Sequence, residues 1–167
     1  IMISSKTNKF IAHIKHLNTS KKYRHQHYQL VLETERSILD TLAYHSHLIE
    51  FILATDAHQV ICKKAESLGL PVYLCNDQLA NYCAHVKHSA GCFAVINFPK
   101  RQFDKKIHPL AIAVENINNP ANLGSILRNA HAFGCNVLYR FGNSCDLLHP
   151  ECVRASAGNM FSIPVYD

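Results

Sequence analysis

From Tyr28 onward the chain alternates short apolar runs, rich in β-branched residues, with helical apolar patterns, and that alternation most restricts its fold. YQLVLE reads as a strand, and Thr34 can cap a helix whose Ile38, Leu39 and Leu42 share one face. LIEFILAT is a second strand; the helix after it, near Asp56 to Leu68, stops at Gly69 with Pro71 beyond. VYLC, a short helix from Asp77 to Ala84, and CFAVINF continue the rhythm to Phe98. Such β-α repetition predicts an α/β domain with a small, parallel-rich sheet and flanking helices.

The rhythm breaks at PKRQFDKKIHP, Pro99 to Pro109, a polar stretch bounded by prolines, which reads as a linker. A second β-α unit follows. LAIAVE is a strand, Asn116 to Asn122 a loop, Leu123 to Phe133 a helix and CNVLYR another strand. His149-Pro150 opens a short helix ending at Gly158-Asn159, and FSIPV is a third short strand. The organisation read from sequence is therefore a domain over 1–98, a linker over 99–109 and a partial domain over 110–167.

Charge is distributed unevenly. Of 17 basic residues, six (Lys6, Lys9, Lys15, Lys21, Lys22, Arg24) fall before Glu33, the first acidic residue, leaving 11 against 12 acidic in the remainder. This end is either a solvated basic tail or an arm that faces phosphates, since Tyr23, His25, His27 and Tyr28 interleave the cations. The seven cysteines contain no C-x-x-C and read as reduced thiols of a cytoplasmic protein. Twelve histidines offer close pairs at His25/His27 and His45/His47 but no neighbouring ligand block, so no metal is expected. No run approaches a membrane span, and no membrane partner is expected.

The densest chemistry lies in NINNPANLGSILRNAHAFG, Asn116 to Gly134. Asn122 is placed to cap the helix by accepting from the backbone N–H of Gly124 or Ser125. Leu123, Ile126, Leu127, Ala130 and Phe133 would form its buried face. Gly124 in the first turn costs helix stability and so calls for a reason. Arg128 lies four positions later on the same face, and helical side chains lean toward the N-terminus. The guanidinium would then lie over Gly124, beside free N–H groups, and hold an anion or a developing negative charge. An arginine on a solvated helix face is the plainer reading. A G-x-G-x-x-G, a G-K-[ST] and a G-x-S-x-G are all missing, which argues against hydride transfer, NTP hydrolysis and acyl transfer.

NPANLGSILRNAHAFG resembles the first motif of the SpoU (TrmH-type) RNA ribose 2′-O-methyltransferases, N-x-G-x-x-x-R-x-A-x-x-F-G. HPECVRASAGNMFSIPV is similar to the segment that follows there, and KKYRHQHYQLVLETERSIL to the opening of that family's L30e-like RNA-binding domain. Thr34 replaces a usual glycine, and Asn119-Pro120-Ala121-Asn122 replaces the common Asp-Pro-Gly-Asn.

The resemblance implies an L30e-like α/β domain followed by the first part of an α/β-knot (SPOUT) methyltransferase domain. It implies methyl transfer from S-adenosylmethionine to a ribose 2′-hydroxyl of tRNA or rRNA. Arg128 and Asn122 would be catalytic, with Asn119, Gly124 and Ser125 shaping the site. Lys21, Lys22, Arg24, Lys100 and Arg101 would contact RNA. The family's later motifs do not appear before Asp167, so the cofactor-binding residues are expected beyond it, and the 167 residues alone are expected to be inactive. The full-length form is expected to be a homodimer. The alternative is a non-catalytic L30e-like RNA-binding protein or fragment. The second half is expected to be the less stable one.

Overall fold

The computed structural model describes residues 2–100 and 109–167. It divides into two compact units, Ile1–Phe98 and Pro99–Asp167. Arg101 and most of the linker lie outside the described residues.

In the first unit, strands β1 (Met2–Ile3), β2 (Gln29–Leu32), β3 (Ile49–Ala54), β4 (Val72–Cys75) and β5 (Cys92–Asn97) form one sheet in the order β1-β4-β3-β5-β2. Pairings β1/β4 and β3/β4 are parallel; β3/β5 and β2/β5 are antiparallel. The sheet is thus mixed, not parallel-rich. No crossover helix joins β5 to β3 in a parallel sense, and β5 runs back between its neighbours.

The basic N-terminal segment is not an arm. It folds into β1, α1 (Lys9–Thr19) and α2 (Lys21–His27). Asn8 caps α1 by accepting from the amide of Phe10, and Ile11, Ile14 and Leu17 are buried along it. Ser20 caps α2 in the same way through Tyr23 N, and Tyr28 ends it in the left-handed region at φ 54°. Arg24 is 4% exposed, and its Nη1 donates to the carbonyl of Leu17 at 2.8 Å. It satisfies an orphan carbonyl at the C-terminal end of α1 and is not presented to a polyanion.

Alternate residues of β5 divide between two layers. Phe93 and Val95 join Val31, Phe51 and Leu53 under α1 and α5 (Asp77–Cys83). On the remaining elements α3 (Glu35–Tyr44) buries Ile38 and Leu42, and α4 (Gln59–Ser67) buries Ile61 and Ala65. Thr34 caps α3, accepting from Ser37 N. Glu33 is a clasp: it accepts from Asn18 Nδ2 of α1 and, at 2.9 Å, from the amide of His85 after α5.

The second unit is a wholly parallel three-stranded sheet in the order β6 (Ala111–Glu115), β7 (Val137–Phe141), β8 (Val165–Tyr166). Helix α6 (Pro120–Ala132) links β6 to β7, and α7 (Pro150–Ser156) precedes β8. Residues Leu123, Gly124, Leu127 and Ala130 are the buried positions of α6. Phe133 is not on that face: it is the C-cap and is 80% exposed, the chain turning away at Gly134 with φ 75°. Among the described residues no helix is long and apolar enough to cross a membrane.

Candidate functional site

In open parallel sheets, loops at the carboxyl ends of the strands are where ligands are held, because helix N-termini and loop amides converge there. Here those loops follow β6 and β7. Asn116, directly after β6, adopts φ 53°, and its Oδ1 accepts from the amide of Asn143 at 2.9 Å. A Cβ on Gly142 (φ 63°) would lie 2.4 Å from that same Oδ1, so only glycine lets the two loops approach. Ile117 N donates to Ser144 Oγ at 3.2 Å, and Cys145 N donates to Ile117 O at 2.8 Å. The loop after β6 is thereby laced to the loop after β7.

Arg140, near the end of β7, reinforces the lacing. Its Nη1 donates to the carbonyl of Cys145, and its Nε and Nη2 form a two-pronged pair with Asp167, the second prong at 2.7 Å. Burial opposes the charge on Arg140, but the Asp167 carboxylate more than compensates and holds its pKa above the ordinary value.

Helix α6 begins three residues earlier than the sequence pattern predicts. Asn119 is its N-cap, accepting from Asn122 N at 3.1 Å, and Pro120 occupies the first turn. Asn122 is therefore not the cap but an exposed residue at the third helical position. Pro120 has no amide hydrogen and the cap takes that of Asn122, so neither is left to a ligand.

The expected reason for Gly124 is also overturned. A Cβ there would sit 2.3 Å from the carbonyl oxygen of Cys152 and 2.7 Å from the Cβ of Ala155. Gly124 is glycine because α7 presses its backbone onto α6, not because a guanidinium folds back over it. Arg128 is exposed, and no hydrogen bond or ion pair ties it to another described residue. It is a free cation on the helix that leaves the loop. Ser125, between them, is half-buried.

Two open hollows lie at these strand ends. One, of about 370 Å³, is lined by Arg140, Phe141, Gly142, Ser144 and Asp167; the other, of about 430 Å³, by Ala113, Val114, Glu115 and Phe141. The described residues give them charged rims but do not enclose a ligand the size of a nucleoside. In the first unit, Lys21 and Lys22 are exposed on α2, whereas Arg24 is buried; Lys100, which follows that unit, is also exposed. Among the described residues no three metal-ligating side chains gather. All seven cysteines are free thiols, and burial pushes those of Cys83, Cys92 and Cys152 up to about 12, far from a reactive thiolate.

Comparison with known proteins places this loop and helix. Residues 109–167 match the model of the SpoU rRNA Methylase family. The chain is 29% identical over 154 residues to the mitochondrial rRNA methyltransferase 3 of Xenopus tropicalis, covering 87% of this chain and 37% of that protein. It is 34% identical over 74 residues to a 23S rRNA (uridine(2479)-2′-O)-methyltransferase of Streptomyces viridochromogenes, covering 42% of this chain and 26% of that one. The crystal structure of an AdoMet-bound rRNA methyltransferase from Sinorhizobium meliloti shares the fold, with a TM-score of 0.81 at 22% identity, over 99% of this chain and 64% of that chain. The sequence thus spans less than two thirds of each of these proteins. Over residues 109–167, then, the chain is similar to the SpoU rRNA Methylase family.

Proposed function

We propose that the chain is part of an RNA methyltransferase that modifies a ribose 2′-hydroxyl, with rRNA or tRNA as substrate. The observation that carries this reading is the unpaired, exposed Arg128 on the helix that leaves a laced, Asn-rich loop at the ends of parallel strands. The named 2′-O-methyltransferase relative and the AdoMet-bound neighbour support it. The first unit, read as L30e-like, would bind the RNA with Lys21 and Lys22 facing phosphates, and Lys100, which follows that unit, would face them too. The family match falls on the second unit, which an RNA-binding module alone would not need.

The methyl donor of the reaction is S-adenosylmethionine, whose sulfonium supplies an already activated methyl group. The residues present here do not fit it as a complete pocket, because the hollows at the strand ends stay open. What this chain supplies is the ribose side. Arg128, whose guanidinium offers donors and no acceptor site, would hold the adjoining phosphate and stabilise negative charge growing on the hydroxyl oxygen. Asn119 sets the start of α6 and Asn122 is exposed in its first turn, so both would fix where the ribose sits.

In the whole natural protein, Arg128→Lys keeps the charge but loses the planar fork. Methylation of RNA should fall on the order of 10²-fold, with S-adenosylmethionine affinity unchanged. Near-normal turnover in that variant removes Arg128 from the chemistry.

A further inference from the structure

The first unit carries a cavity of its own. It is open, has a volume of about 380 Å³, and is bounded by α1, α2 and the strands β2 and β3. Phe10, Tyr23, His27 and Phe51 contribute aromatic walls, with the Tyr23 and His27 ring centroids 4.2 Å apart. The two rings are tilted by 39°, and His27 is exposed.

The floor is a directed run of hydrogen bonds. Gln29 is 5% exposed, and its Nε2 donates to Asn97 Oδ1 at 2.8 Å and to Glu50 Oε2 at 2.6 Å. Its Oε1 must then accept, from His13 Nε2 at 2.8 Å, which leaves His13 Nδ1 to accept from the Tyr23 hydroxyl at 2.8 Å. Desolvation by burial, the largest influence, lowers the pKa of His13, in keeping with the neutral ring this pattern needs. Tyr23 and Glu50 are thus held at the two ends of one network.

Glu50 owes its position to a local irregularity. The β3/β5 register shifts between Ile49 and Phe51, so both of those residues are buried while Glu50 alone stands exposed on the strand. One carboxylate oxygen is fixed by Gln29, and the other is left open to the cavity. Lys9 also lines it, and α2, which brings Tyr23 and His27, carries the exposed Lys21 and Lys22.

Aromatic walls suit a planar ring, and a lone carboxylate suits a ring edge that only donates. Lys9 in the lining, with Lys21 and Lys22 on the same helix as Tyr23 and His27, suits the attached phosphates. Guanine presents two adjacent donors, N1–H and N2–H, where adenine presents one amino group beside an acceptor. We propose that this cavity receives an unstacked guanine of a bound RNA, its ring against Tyr23 and His27 and its donor edge on Glu50. The inference rests on reading the first unit as the RNA-binding part.

The test uses the 167-residue chain and fluorescently labelled oligouridine strands carrying one central guanosine, inosine or adenosine, with binding read by anisotropy. Inosine keeps N1–H but lacks the 2-amino group. The guanosine strand should bind ~10-fold tighter than the other two. Glu50→Gln should reduce that preference below about twofold and leave the salt-dependent background. His27→Leu, at an exposed position, should weaken the guanosine strand and retain the native melting profile. Equal affinity for guanosine and inosine strands, or an undiminished preference in Glu50→Gln, overturns the guanine site while RNA binding stands. Guanosine monophosphate binding as tightly as the strand would make this a mononucleotide site and overturn the RNA assignment of the cavity. Absence of any salt-dependent binding to all strands removes both this inference and the RNA-binding reading beneath it.

Discussion

Strands β5 and β6 are of similar length and composition, yet they live in different surroundings. Cys92 through Ile96 are all buried, because helices cover both faces of the first sheet. In β6, Ala111, Ala113 and Glu115 are exposed, and Ile112 and Val114 are only half-buried. A strand between two helical layers gains its whole apolar environment from its own unit, whereas one covered on a single side leaves surface and an edge uncovered. The first unit thus buries its central strand on both faces, and the second leaves β6 largely open.

Truncating the first unit's centre should have the largest effect. Phe93→Ala removes a fully buried ring and should cost ~3–5 kcal/mol. Amide exchange followed by mass spectrometry should then speed up throughout β2, β3 and β5 but not in α6. Equal loss of protection in α6 would mean that the two units unfold together and the contrast drawn here is wrong.

The converse substitution, Gly124→Ala, drives a methyl into the Cys152 carbonyl and the Ala155 side chain. It should cost ~1–3 kcal/mol and raise exchange only in α6, α7 and β7. A silent Gly124→Ala would show that α7 yields easily and that the second unit is less closely packed than its helices indicate.

The smallest effect is on pH dependence. His13 is held neutral below its ordinary value of 6.5. Above that value both folded and unfolded chains are neutral at this site and it contributes nothing. As pH falls below 6.5 the unfolded chain takes up the proton first, so the first unit loses stability until the folded-state pKa is reached. His13→Gln should flatten that acid slope, measured by denaturant titration at several pH values. An unchanged slope would mean that other histidines set it.

Much of this architecture is legible along the chain because its signals are local. The apolar runs that became β2 to β7, the Thr34 cap and the Gly69 stop each depend on near neighbours. Failures came where the deciding partner is distant in sequence or masked by charge. Helix α1 hides Ile11, Ile14 and Leu17, a helical spacing, among lysines and histidines, and reads as a basic arm. Arg24 looks like a phosphate ligand until the Leu17 carbonyl is placed beside it. Gly124 invites an explanation within its own helix, but the neighbour that forbids a side chain is Cys152, on another helix. For the candidate site, Asn119 and Arg128 could be picked out by type and spacing. The lacing by Asn116, Gly142 and Ser144 could not, since it joins loops across a crossover. Asn119 rather than Asn122 caps α6 because Pro120, with no amide hydrogen to lose, favours the first helical position.

The cross-laced loops have a consequence for how any ligand is met. Asn116 and Asn143, Ile117 and Ser144, and Arg140 and Asp167 fix one another through the chain's own hydrogen bonds. The freedom such segments would otherwise surrender on recognition has been surrendered at folding. Recognition at this rim should therefore proceed with little backbone rearrangement, and selectivity there becomes a matter of shape and charge already in place.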